Sequence, residues 1–158
     1  MIIVCDSSPI VALAACDKLD LLDKLFDKVF IPNAVFRELS VPGKLELQKI
    51  TIWAQTKIAE VKNKHLVQAF NLILDIGESE AMALYWEKEA DYLLIDEKKG
   101  RKIATYNGQK VVGTLGVLLL AKQKGFLNAV KPLIDLLKQL DIRISDELYE
   151  KTLWLAKE

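Results

Sequence analysis

The first nine residues constrain this chain more than any other stretch. Met1-Ile2-Ile3-Val4-Cys5 is a short apolar run rich in β-branched side chains, the composition of a strand buried on both faces at the centre of a parallel sheet. It stops at Asp6. Ser7 or Ser8 can then cap a helix with Pro9 at its first position, where a missing N–H costs nothing, and Ile10 to Ala15 continue that helix. Asp6 is thereby predicted at the carboxyl end of a central strand. In an open α/β sheet that edge faces the crevice where ligands bind, so the question becomes which other acids reach it.

The rest of the chain keeps alternating short apolar runs with helical periodicity. Leu19, Leu22, Leu25 and Phe26 mark a second helix, Val29-Phe30-Ile31 a strand, and Pro32 opens a helix whose apolar positions Val35, Phe36 and Leu39 flank Glu38. Val41-Pro42-Gly43 breaks the pattern, and Lys44 to Lys62 reads as a helix followed by a short extended piece. Leu66 to Leu74 is helical, Asp75-Ile76-Gly77 ends that helix, and Glu78 opens the next, to about Glu89. Tyr92-Leu93-Leu94-Ile95 is a second apolar strand that also ends on an acid, Asp96. A basic helix from Lys98 to Tyr106, the strand Lys110-Val111-Val112, a buried helix Val117 to Lys124, a helix Leu133 to Leu140 and a closing helix capped at Ser145 complete the reading. Strands alternating with helices predict an α/β protein with a parallel sheet covered on both faces.

A chain of 158 residues has room for one domain with a substantial core. We expect one domain over residues 1–158, with the closing helix, 145–157, as an appendage. The longest apolar run, Leu115 to Ala121, contains Gly116 and is too short to cross a bilayer, and no basic segment precedes the N-terminal apolar stretch. A soluble cytoplasmic protein with no membrane partner is the expectation. Acids and Lys plus Arg balance at 22 each, so overall charge does not point to nucleic acid. Locally, Lys98, Lys99, Arg101, Lys102 and Lys110 face one acid, Glu97; a solvated helix face accounts for that charge by itself. Cys5 and Cys16 have no metal-ligand spacing and read as buried thiols. His65 is the only histidine, which excludes a histidine metal site, and no serine or cysteine lies in a nucleophile motif that could use it as a base.

Four acids therefore stand at element ends or beside packed faces: Asp6, Glu38, Glu78 and Asp96. Each has a structural alternative: Asp6 and Asp96 as helix caps, Glu78 as an answer to a helix dipole, and Glu38 as a partner of Arg37 or Lys44. If they converge, electrostatics sets the consequence. Two carboxylates about 4 Å apart repel by about 4 kcal/mol at an effective dielectric near 20, so a cluster of them requires a cation. All-oxygen ligands select hard ions, Mg²⁺ or Mn²⁺.

The opening Val4-Cys5-Asp6-Ser7-Ser8-Pro9 and the blocks IPNAVFREL, GESEAMAL, LLIDEKKGR and VVGTLG resemble, in their order, the PIN-domain superfamily. The nearest likeness is to the prokaryotic branch with an Asp-Ser-Ser-Pro opening and a GTLG turn. Arg143-Ile144-Ser145 and the helix after it are similar to that branch's ending. The resemblance implies a three-layer α/β/α sandwich with a central, mainly parallel sheet. It also implies a metal-dependent endoribonuclease, the toxin of a VapC-type toxin-antitoxin pair, with RNA as substrate, an antitoxin protein as partner and a homodimeric state. Carried over by position, the acids are Asp6, Glu38, Glu78 and Asp96, serving both as metal ligands for Mg²⁺ or Mn²⁺ and as catalytic groups. Glu80 and Glu97 are rivals for the third and fourth places. Ser7 and Thr114 become assistants for metal or phosphate, and Lys98, Lys99, Arg101 and Lys102 become contacts to the RNA backbone. The alternative is a PIN fold without catalysis that binds a partner such as an antitoxin.

Overall fold

The computed structural model describes residues 1–40 and 45–158. Along the chain come β1 (Ile2–Cys5), α1 (Ser7–Ala15), α2 (Asp20–Leu25), β2 (Lys28–Pro32), α3 (Asn33–Leu39), α4 (Leu45–Ala54), β3 (Ile58–Ala59) and α5 (Lys64–Phe70). Then follow α6 (Ile76–Glu87), β4 (Tyr92–Leu94), α7 (Lys98–Tyr106), β5 (Val111–Val112), α8 (Thr114–Gln123), α9 (Lys131–Gln139) and α10 (Asp146–Ala156). The strands form one sheet in the order β3-β2-β1-β4-β5, and every pairing is parallel.

The two-sided burial expected of the opening run is what makes β1 the middle strand. Ile3 pairs with Val29 on one side and Tyr92 on the other. Because side chains alternate across a strand, β1 feeds two cores. Ile3 and Cys5 pack with Val29, Ile31 and the buried residues of α1, α2, α8 and α9. Val4 points the other way and packs with Leu93, Ile95 and the buried residues of α5, α6 and α7. The result is the three-layer α/β/α sandwich that the sequence predicts.

From β1 the chain winds through β2 and β3 on one side, then returns to place β4 and β5 on the other. The carboxyl ends of β1 and β4 thus flank the topological switch point, where open α/β sheets form their binding crevice. The backbone N–H of Asp6 donates to Leu94 O at 2.9 Å, tying the two strand ends together.

Several boundaries differ from the sequence reading, and three of them matter for the site. The first helix begins at Ser7, so Asp6 rather than Ser7 or Ser8 stands in the cap position, with extended backbone and no capping bond from its carboxylate. Pro9 sits within the first turn, which still tolerates it. Asp75 begins α6 instead of closing the preceding helix, which ends at Phe70. The helix placed from Val117 starts at Thr114, with Gly113 as its cap. The break at Val41-Pro42-Gly43, and Lys44 as a partner for Glu38, lie outside the described residues. Cys5 and Cys16 are buried free thiols, and His65 is exposed.

Candidate active site

Asp6 leaves β1 directly into α1 and is only 4% exposed. Burial of a carboxylate favours its neutral form, and here the pKa is pushed up to about 7. Burial is the largest cause, the Ser7 N–H pulls the other way, and the charges of Asp75, Glu78 and Glu38 push further up. No cation is among those causes. Three of the four acids singled out in the sequence, Asp6, Glu38 and Glu78, thus share one electrostatic neighbourhood.

Asp75 is a fourth member that the sequence reading missed. It caps α6: its Oδ1 accepts the Glu78 N–H at 2.8 Å, while Glu78 Oε2 accepts the Asp75 N–H at 3.2 Å. This reciprocal capping box orients both carboxylates at one helix end. The signal was present as Asp-x-x-Glu at residues 75–78. Burial and the charges of Asp75 and Glu97 raise the Glu78 pKa, against the Asp75 N–H and the Lys99 charge.

Glu38 is exposed on α3, not folded into that helix's packed face. Its carboxylate lies over the first turn of α6: a Cβ built on Gly77 would stand 2.7 Å from Glu38 Oε1 and 3.4 Å from Asp75 Oδ1. The bare glycine is what lets these two side chains flank the same point. Gly100 does the same for Glu78, since its Cβ would stand 2.7 Å from Glu78 Oε1.

Asp96 is different. It lies two residues past β4, is exposed, and is held by the start of α8. Thr114 N–H donates to Oδ1 at 2.8 Å and Thr114 Oγ1–H to Oδ2 at 2.6 Å. Thr114, expected to assist metal or phosphate, is first of all the positioning partner of Asp96. Arg101 sits beside this pair, its Nη1 donating to Ile95 O at 2.8 Å. Ser7, Asp96 and Thr114 line a cleft of about 420 Å³.

The two rivals are engaged with other partners. Glu80 is buried, and its Oε2 accepts the Ala34 N–H at 2.8 Å, fastening the first turn of α3. Glu97 caps α7 through a long contact to Lys99 N–H, 3.5 Å. Of the four cations named from the sequence, Arg101 is at the Asp96 side and Lys99 lies within reach of Glu78's charge, while Lys98 is exposed on the first turn of α7. Lys102, with Lys99, lines a separate groove with an apolar floor that includes Phe70 and Ile103.

Among the described residues, no three of the His, Cys, Asp and Glu side chains sit close enough together to hold a metal ion. The chemistry of the donor set nonetheless fits one. The neighbours of Asp6 are carboxylates, hard oxygen donors, and their mutual repulsion is already visible in the raised Asp6 pKa. Asp6, Glu38, Asp75 and Glu78 are the residues that could hold a hard divalent cation, with Asp96 at the crevice's other side.

The DUF3368 family model, described as a PIN domain, matches residues 2–158. The chain belongs to the PIN-domain family. No curated protein and no solved structure matches it. The PIN fold is of nuclease type, and the acidic crevice lies at the PIN sheet's switch point, between β1 and β4.

Proposed function

We propose that this PIN domain is a metal-dependent endoribonuclease that hydrolyses RNA phosphodiester bonds at the crevice between β1 and β4. The observation that carries the reading is Asp6: a buried carboxylate at a central strand end that feels the charges of Asp75, Glu78 and Glu38, with no cation among its main influences. Mg²⁺ or Mn²⁺, when bound, supplies neutralising charge to the phosphate and makes a water more acidic. Asp6, Glu38 and Glu78, with Asp75, supply the negative pole that holds it. Burial pushes the Asp6 carboxyl up to about 7, and a cation held beside it would favour its ionised form. Asp96, fixed through both oxygens by Thr114, keeps a set orientation at the crevice's opposite wall and can accept a further hydrogen bond there. Arg101 supplies positive charge for the RNA backbone beside it.

The resemblance of the Asp-Ser-Ser-Pro opening and the GTLG turn supports the finer reading: the toxin of a cytoplasmic toxin-antitoxin pair, a homodimer with an antitoxin protein as partner. Among the described residues, no helix is long and apolar enough to cross a membrane. One observation favours a second reading, a PIN fold that binds a partner without catalysis: among the described residues the carboxylates are not drawn together around a common point.

A quenched fluorescent RNA separates the two. The expected result is cleavage with Mn²⁺ or Mg²⁺, none in excess chelator, and a rate lower by about 100-fold or more in Asp6→Asn. Equal rates in the variant, or in chelator, reject the nuclease reading.

A further inference from the structure

A cleft of about 420 Å³ adjoins Asp96. Ser7, Asp96 and Thr114 form one end, so it is continuous with the candidate active site. Its other wall is apolar and comes from distant parts of the chain: Val11 on α1, Leu115 on α8, and Ile142 and Ile144 from the segment between α9 and α10. Between those two isoleucines Arg143 also lines the cleft, exposed and, among the described residues, without an ion pair. The volume falls in the range of small-molecule sites, about 300–1,000 Å³.

A slot with aliphatic walls, the Ser7 and Thr114 hydroxyls beside the Asp96 carboxylate at one end and the Arg143 guanidinium at its edge is chemically matched to one nucleoside with its phosphate. Aliphatic side chains cover the faces of a base, hydroxyls reach its edges or the ribose, and a guanidinium forks onto phosphate or stacks on the base. We propose that this cleft binds the base of the ribonucleotide next to the scissile phosphodiester, with Arg143 on that nucleotide's phosphate. The proposal rests on the nuclease reading for the place of the scissile bond. It assigns selection of the flanking base to Val11, Leu115, Ile142 and Ile144, and affinity for its phosphate to Arg143. The Ile142–Ile144 segment thereby acquires a function beyond joining two helices.

The test is amide-resonance mapping on the full chain in metal-free buffer, with AMP, CMP, GMP, UMP and, as a probe without a base, ribose 5-phosphate. The expected result is that at least one nucleotide moves the Leu115 amide together with those of Ile142 and Ile144, while ribose 5-phosphate, which can engage Arg143 alone, leaves Leu115 unmoved. Arg143→Ala should weaken that nucleotide about tenfold, and Val11→Arg, which fills the exposed rim, should abolish the shifts. The same spectra show whether each variant folds, and the wild-type comparison with ribose 5-phosphate stands without either variant. Equal binding of ribose 5-phosphate, nucleotide shifts confined to the Lys99–Lys102 groove, or no shifts at millimolar nucleotide each overturn the proposal. An RNA cleavage assay with Mn²⁺ run in parallel keeps the two readings apart. Nucleotide shifts without cleavage reject the nuclease and keep the base cleft; cleavage with silent cleft amides does the reverse.

Discussion

Asp6 and Asp96 stand just past the ends of two neighbouring parallel strands, each after an apolar run and before a helix. Their environments are opposite. Asp6 is buried among Glu38, Asp75 and Glu78, and its carboxyl is pushed up to about 7. Asp96 is exposed and accepts two hydrogen bonds from Thr114. One side of the crevice is an anionic well in which carboxylates are the charges acting on Asp6, and the other is a carboxylate already oriented by its neighbour. The difference teaches that two acids of like local sequence can be assigned different work by what the fold brings over them: other carboxylates for one, a threonine at a helix start for the other.

The sharpest way to break this comparison is to remove the charge from each acid in turn. A carboxyl whose folded pKa lies above its unfolded value binds its proton more tightly when folded. Its contribution to stability is therefore fully present below about pH 4 and declines as pH rises to about 7. Asp6→Asn should then stabilise the metal-free protein at pH 8, by about 4 kcal/mol at most, and should flatten the pH dependence of urea unfolding between pH 4 and 7. It should also remove the stabilisation that Mn²⁺ gives the wild type. Asp96→Asn should produce neither gain. Equal responses at the two positions would erase the distinction.

Thr114→Val tests the other side. It removes the hydroxyl donor to Asp96 Oδ2 but keeps the backbone donor to Oδ1, so a loss of about 1–2 kcal/mol is expected in denaturant unfolding. Arg101→Ala should cost about 1 kcal/mol through the lost bond to Ile95 O. It should also lower the salt dependence of RNA binding by about one unit of slope. Lys102→Ala, in the separate groove, should leave that slope nearer to wild type. The smallest effect belongs to Gly77→Ala. The added Cβ displaces the exposed end of Glu38, a flexible group, so stability should change by about 0.5 kcal/mol or less. Moving that charge away should nevertheless lower the titration midpoint of Asp6, read by carboxyl resonances. An unchanged midpoint would mean that Glu38 does not belong to the well.

Much of this was legible before any coordinates. The apolar runs at 1–5 and 92–95 appear as β1 and β4, and Ser145 accepts the Leu148 N–H as the cap of α10. Asp6, Glu38, Glu78 and Asp96 all stand about the crevice, although Asp96 sits apart from the other three. Less visible were the residues whose importance comes from contacts far along the chain. Asp75 looked like a helix end because the apolar spacing runs on to Leu74, which is buried although the helix itself stops at Phe70. Thr114 looked like part of a turn because nothing local announces Asp96, 18 residues earlier, as its acceptor. Lys99 and Lys102 looked like neighbours of Asp96, yet the rotation of α7 carries them to another groove.

By itself, then, the order of residues determined the strand runs, the helix starts and the alternation that makes a parallel sheet covered on both faces. Those are properties of dihedral preference and of which side chains must leave water, and both act over a few residues. Only the tertiary structure decided which carboxylate is buried, which is tethered, and which charges feel one another. Such fields depend on distances between segments brought together at the switch point from far along the chain, and no spacing in one segment encodes them.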